Sequence, residues 1–261
     1  MSRIENALDS WREWGASLDT RPVVIAPLGG GRSNRSYLLE SGSEQMVLRI
    51  NAPATALPNP DRGVEARVWR AASEEGIAPR LLYADPGGAF LVSAYIENGL
   101  PDRPQDNQGL TEQALELLQR CHRLNVDAPV IDYAAHIDRY WQIIQDRGAS
   151  VDPSLREQRG PMHRILKDIT RSSTPADLCH HDLVMENFVG SQKRLYLIDW
   201  EYAARGLRVM DYAAFAVEWG IEAALVCERT GTEPELLSMA MDFYRYQCHL
   251  WEAITQASLC S

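Results

Sequence analysis

The sequence predicts an α+β fold in two parts, a small antiparallel β-rich N-terminal lobe and a larger α-helical C-terminal lobe. Three observations carry that expectation. Short β-branched runs divided by turn residues dominate the stretch from Val23 to Ile96. Apolar residues recur at helical spacing further on. The change of character falls at Gly99 and Pro101, so residues 1–93 form the first lobe, 94–99 a hinge and 100–261 the second.

Val23, Val24 and Ile25 are β-branched and favour a strand. Tyr37–Glu40 and Gln45–Ile50 flank the turn-forming Ser41-Gly42-Ser43, a hairpin pattern. After the proline-rich stretch Pro53 to Pro60, Asp61 can cap a helix that runs to about Glu75 and stops at Gly76. Leu81–Tyr83 and Phe90–Ile96 form a further strand pair around Asp85-Pro86-Gly87-Gly88. In the second lobe, Leu110, Ala114, Leu117, Leu118, Cys121 and Leu124 mark one helix, and others are expected over 133–147, 207–227 and 233–256. A loop over 179–187 and short strands at Phe188–Val189 and Leu195–Ile198 lie between them.

At 261 residues the chain can bury a substantial core. Its formal charge of −10 argues against nucleic acid, whose phosphates need Lys and Arg. The same charge suits a cationic substrate, and equally suits plain solubility. Five cysteines, odd in number and widely spaced, fit reduced thiols better than a disulfide framework. No apolar signal core opens the chain, and Asp211, Glu218 and Glu222 interrupt its most apolar stretch. A soluble, cytoplasmic protein without membrane contact is expected.

The chemistry concentrates in Cys179-His180-His181-Asp182-Leu183-Val184-Met185-Glu186-Asn187 and in Asp199, twelve residues beyond Asn187. Asp182, Asn187 and Asp199 are hard oxygen donors of the kind that suit Mg²⁺. An Asp five residues before an Asn is also the spacing of a kinase catalytic loop. Cys179, His180 and His181 raise zinc, but the other histidines and cysteines lack paired ligand spacing. Upstream, Leu28-Gly29-Gly30-Gly31-Arg32-Ser33-Asn34 lies between two strands. It reads either as a phosphate cradle, with Gly30, Gly31, Ser33 and Asn34 as donors, or as a plain glycine-rich hairpin. Arg49 sits among apolar strand neighbours, where a cation either reaches solvent or meets an anion. Glu65, early in the next helix, is its natural ion-pair partner.

Together these segments resemble the aminoglycoside phosphotransferase and choline kinase superfamily of small-molecule kinases. The resemblance runs from about Leu28 to Trp219 through the glycine loop, Val47-Leu48-Arg49, Glu65, the hinge, His122 in a Leu-x-x-x-His helix, the 180–187 loop and Ile198-Asp199. It implies a bilobal protein-kinase-like fold and an ATP- and Mg²⁺-dependent enzyme. Asp182 would be the catalytic base, and Asn187 and Asp199 the metal ligands. Arg49 would hold the nucleotide phosphates, with Glu65 orienting it. Backbone groups around Ala94 to Ile96 would read adenine. Arg49 stands where Lys is commoner, and His181 where many relatives have Gly or Asn. Trp200-Glu201-Tyr202 replaces the Phe-Gly of protein kinases, and no activation loop follows, so a protein substrate is not expected.

Ile198-Asp-Trp-Glu-Tyr202, then Asp211, then Glu218-Trp219, resembles choline/ethanolamine kinases, and its first part thiamine kinases as well. Trp200, Tyr202 and Trp219, with Tyr140, Trp141 or Trp251, can offer aromatic faces to a cationic alcohol. Glu201, Asp211 and Glu218 can add negative charge. Aromatic residues at helical spacing also serve as core, so both readings stand. Asp211 is expected to brace the catalytic loop. A thiamine kinase, or another aminoglycoside-phosphotransferase-like kinase, is the alternative. A non-catalytic nucleotide-binding module and a metal hydrolase built on His180-His181-Asp182 are rivals from other classes.

Overall fold

The computed structural model describes residues 2–15, 18–29, 34–52, 60–101, 106–172 and 176–259, with side chains up to 255. Two compact units emerge: Met1–Asp102 together with Glu186–Ala203, and Arg103–Met185 together with Ala204–Ser261.

In the first unit, strands Val23–Leu28 (β1), Arg35–Ser41 (β2), Glu44–Ile50 (β3), Leu81–Ala84 (β4) and Phe90–Ala94 (β5) form one antiparallel sheet. Their order is β1-β2-β3-β5-β4. The tight turn between β2 and β3 places Gly42 at φ +60, a conformation that glycine adopts without steric cost. Side chains alternate along β3, so Met46, Leu48 and Ile50 face one way. They pack with Leu39, Phe90, Val92 and Trp14, and with Ala7 and Leu8 of a helix at Arg3–Asp9 (α1). Alternation sends Arg49 to the opposite face.

Asp61 caps the helix Arg62–Glu74 (α2) as expected, its Oδ1 accepting the N–H groups of Gly63 and Val64 at 2.9 and 3.0 Å. The buried stripe of α2 holds Glu65 among Ala66, Val68, Trp69 and Ala72. A hairpin of Phe188–Ser191 (β6) and Arg194–Leu197 (β7) completes the unit. Its Gly190 has φ +129, and a Cβ there would lie 2.2 Å from the Arg194 carbonyl oxygen, so only glycine fits. Two backbone hydrogen bonds tie the hairpin to this unit: Leu197 N–H to Ile77 O at 2.8 Å, and Gly99 N–H to Gly190 O at 2.7 Å.

The second unit is helical: Gln108–Cys121 (α3), Tyr133–Asp146 (α4), Pro153–Ser172 (α5), Arg208–Glu218 (α6), Ala223–Thr230 (α7) and Pro234–Leu259 (α8). Two three-residue strands, Asp177–Cys179 and Ala204–Gly206, pair antiparallel and frame the 180–185 loop. α8 packs against α4, α5, α6 and α7. Nearly every side of α6 is buried, which makes it the centre of this unit.

Two departures from the sequence reading have physical causes. The helix expected over 207–227 is two, because the chain turns at Gly220 with φ +61. The 20-residue α5 was not expected at all: Gly160-Pro161 interrupts its sequence, and it buries only Leu155, Leu166 and Ile169. Cys121, Cys179, Cys227 and Cys248 are free thiols, and Cys260 lies outside the described residues. Among the described residues no helix is long and apolar enough to cross a membrane.

Candidate functional site

The first unit carries a buried charge network centred on Arg49. Its guanidinium donates to Glu65 through Nη2, to Asp199 Oδ1 at 2.7 Å and to Asn51 Oδ1 at 3.1 Å. Arg62 adds a second guanidinium, donating to Glu65 Oε2 at 2.7 Å and to Glu201 Oε2 at 2.9 Å. Asn34 Nδ2 donates to the same Glu201 oxygen at 2.9 Å, while Asn34 Oδ1 accepts the Ala52 N–H. The Arg49–Glu65 pair is thus the ion pair that the strand and helix pattern predicted.

Burial opposes the Arg49 charge, but Glu65, Asp199 and Glu201 outweigh it and hold its pKa above the ordinary value. Two guanidinium groups face three carboxylates, so the network is one positive charge short. Asp199 registers that shortfall. Burial pushes its carboxyl up to about 6 despite Arg49, and Glu201 and Glu65 push in the same direction. Its side chain keeps 26% of its surface exposed, so an incoming ion can reach it. Asp199 adopts φ +65 ahead of a 3₁₀ turn at Trp200–Tyr202, which the buried Trp200 indole anchors by donating to Leu197 O at 3.2 Å. A hard divalent cation bound through oxygen fits a carboxylate that is partly exposed and short of positive charge.

In the second unit the Asp182 loop is held from below by Asp211, which is fully buried in the first turn of α6. Asp211 Oδ2 accepts the His180 N–H at 2.9 Å and Oδ1 the His181 N–H at 3.0 Å; His122 Nε2 donates to Oδ2 at 3.0 Å. Burial alone would raise this carboxyl, but the His122 hydrogen bond and charge, with His181 and the backbone N–H, pull it down to about 2. The brace expected at Asp211 is therefore present. Possible ligand atoms of His122, Cys179 and Asp211 lie within 4.8 Å of one another. Asp211 already accepts three hydrogen bonds there, so its carboxylate serves as a hydrogen-bonded support for the loop.

α4 and α8 bring three rings into a row, the buried Tyr140 between the half-buried His136 and Trp251. His136 lies 4.6 Å from Tyr140, and Tyr140 lies 5.9 Å from Trp251, between ring centroids. Burial raises the Tyr140 phenol, helped by the negative charge of Asp182, and burial raises the Cys248 thiol, helped by Glu218, Glu252 and Asp182. Burial, helped by His181, pushes His136 down to about 4, so its ring is neutral at pH 7. Tyr244 Oη donates to Glu218 at 2.8 Å.

The residues singled out in the sequence fare unequally. Arg49, Glu65, Asp199, Glu201 and Asn34 come together, and Glu201 is engaged by Arg62 and Asn34 within the charge network. Trp200 and Trp219 are 0% and 1% exposed, so their rings are core and offer no face to a ligand. The Ala94 N–H is committed to Arg80 O at 2.8 Å and cannot read a base; Ile96 follows β5 and is half-buried. Tyr202 is half-buried in the 3₁₀ turn, and Asn187 is buried with its carbonyl accepting the Ile198 N–H. Gly30, Gly31 and Ser33 lie outside the described residues. Arg62 was missed, although an Arg three residues before Glu65 in the first turn of a capped helix was a legible signal.

Comparison with known proteins shows the family and the fold. The Haemophilus influenzae protein LicA is 27% identical over 198 residues, which cover 72% of this chain and 56% of LicA, little more than half its length. Thiamine kinase of Salmonella heidelberg (strain SL476) is 28% identical over 207 residues, 76% of this chain and 67% of that one. The crystal structure of choline kinase LicA from Streptococcus pneumoniae superposes with a TM-score of 0.76 at 19% identity, covering 98% of this chain and 92% of that one. It shares the two-part α+β fold. The family model described as "Phosphotransferase enzyme family" matches residues 24–239, most of the chain, and the chain belongs to that family.

Proposed function

We propose that the chain transfers the γ-phosphoryl group of ATP to the primary hydroxyl of a small cationic alcohol, choline or ethanolamine before others. The observation that carries the acceptor class is the row of rings in α4 and α8, where the half-buried His136, neutral at pH 7, and the half-buried Trp251 flank Tyr140. Aromatic faces attract a quaternary or primary ammonium group, on the order of 0.5–2 kcal/mol each. A charged histidine there would repel it. The names of the relatives, choline kinase and thiamine kinase, support a cationic alcohol, and thiamine is the second reading.

Asp182 accepts the acceptor's hydroxyl proton as the oxygen–phosphorus bond forms and the bond to the β-phosphate oxygen breaks, releasing ADP. Arg49, fixed by Glu65 and Asn51, offers its charge to the phosphates. Asn187 and Asp199 are the residues that would hold Mg²⁺, which when bound neutralises phosphate charge. Residues 1–93, with the 186–203 segment, serve the nucleotide; residues 94–99 form the hinge; and α4, α6 and α8 serve the acceptor.

The test is Mg²⁺- and ATP-dependent ADP release with choline, ethanolamine, thiamine, an aminoglycoside and an amino sugar. One cationic alcohol is expected to dominate, and Asp182→Asn to lower its turnover roughly 10²–10⁴-fold. Equal turnover by the variant would remove Asp182 from the mechanism. Silence with every acceptor would favour a non-catalytic nucleotide-binding module.

A further inference from the structure

The residue preceding Asp182 is His181, with φ +64, in the left-handed region that a side chain rarely enters. Gly or Asn would sit there with less strain, so the imidazole must be held by its surroundings. Its Nε2 lies 2.9 Å from the Tyr133 hydroxyl, and the two rings meet edge to face at 5.7 Å and 63°. Tyr133 Oη also accepts the Leu207 N–H at 3.0 Å, which leaves the phenolic proton available for His181 Nε2. Burial keeps that phenol protonated. Gly206 closes the pocket: a Cβ at this position would come within 2.4 Å of Tyr133 Oη and 2.7 Å of His181 Nε2.

These contacts form a socket with two attachments. Asp211 holds the main chain of His181, and Tyr133 holds its side chain; Leu207 and Asp211, which fix those partners, are four residues apart at the start of α6. Tyr133 begins α4, and His136 and Tyr140 follow at spacings of three and four, so all three share one helix face. The socket therefore joins the catalytic loop to the helix that carries His136 and Tyr140.

We propose that His181 is a positioning residue: seated on Tyr133 and Gly206, it sets the reach of the Asp182 carboxylate toward an acceptor at the α4 rings. The inference rests on Asp182 being the base. A displaced carboxylate still allows phosphoryl transfer to water, so the socket governs how much ATP consumption ends on the acceptor.

The experiment compares wild type, His181→Gly, Tyr133→Phe and the double variant with the best acceptor. It reads kcat, KM for ATP, the ratio of ADP released to acceptor phosphorylated, and thermal unfolding. Glycine relieves the left-handed strain, so His181→Gly is expected to unfold at or above the wild-type temperature while kcat falls roughly ten- to a hundredfold. The KM for ATP should hold within about twofold and the ADP-to-product ratio should rise. The double variant should be no slower than the slower single, because both remove the His181–Tyr133 contact, Tyr133→Phe also taking the acceptor from the Leu207 N–H. His181→Gly with wild-type kcat and ratio overturns the positioning role alone. No wild-type turnover on any acceptor overturns the kinase reading, and this role with it.

Discussion

Two buried carboxylate centres, one in each unit, solve the same electrostatic problem in opposite ways. Asp211 is surrounded by directional donors, two backbone N–H groups and an imidazole, and its carboxyl falls to about 2. Asp199 shares two guanidinium groups with Glu65 and Glu201, and its carboxyl stays near 6. The first centre is saturated and can only support a loop. The second is short of positive charge and can still take an ion. Their difference separates a carboxylate that fixes a loop from one that has capacity for a cation.

The largest expected effect comes from breaking the saturated centre. Asp211→Ala leaves two buried N–H groups and His122 without their acceptor, and should cost about 3–5 kcal/mol in urea unfolding at pH 7. A loss under about 1 kcal/mol would mean that water replaces the carboxylate readily.

A smaller effect concerns the open centre. A metal ion needs the ionised carboxylate, and Asp199 holds its proton up to about 6. Mg²⁺ affinity should therefore be flat above that pH and weaken about tenfold for each pH unit below it. Calorimetric titration between pH 5 and 8 reads the effect, and an affinity that does not change with pH would contradict the assignment.

How much of this was visible in the sequence follows from the range of each interaction. The strand pattern around Arg49, the Asp61 cap and the Arg49–Glu65 pair depend on near neighbours and were legible. The aromatic residues were not: Trp200 and Trp219 look like Trp251 in a sequence, and only tertiary burial separates the two buried rings from the half-buried one. The Arg62 link to Glu201 spans 139 residues, and the His181–Tyr133 contact spans 48. No local pattern announces either. α5 stayed hidden because Gly160-Pro161 resembles a break.

The smallest effect belongs to His136. Unfolded, it binds a proton below about 6.5; folded, only below about 4. Between those values the unfolded state carries the extra proton, so stability should rise with pH across that window. His136→Gln should flatten that slope in urea unfolding, and an unchanged slope would place its cause elsewhere.

The most direct test of the division between the two centres is ATP binding by calorimetry, with and without Mg²⁺, in wild type, Asp182→Asn and Asp199→Asn. The account predicts that Mg²⁺ tightens ATP binding in wild type and in Asp182→Asn, and fails to do so in Asp199→Asn. Full Mg²⁺-dependent tightening in Asp199→Asn, or its loss in Asp182→Asn, would contradict it.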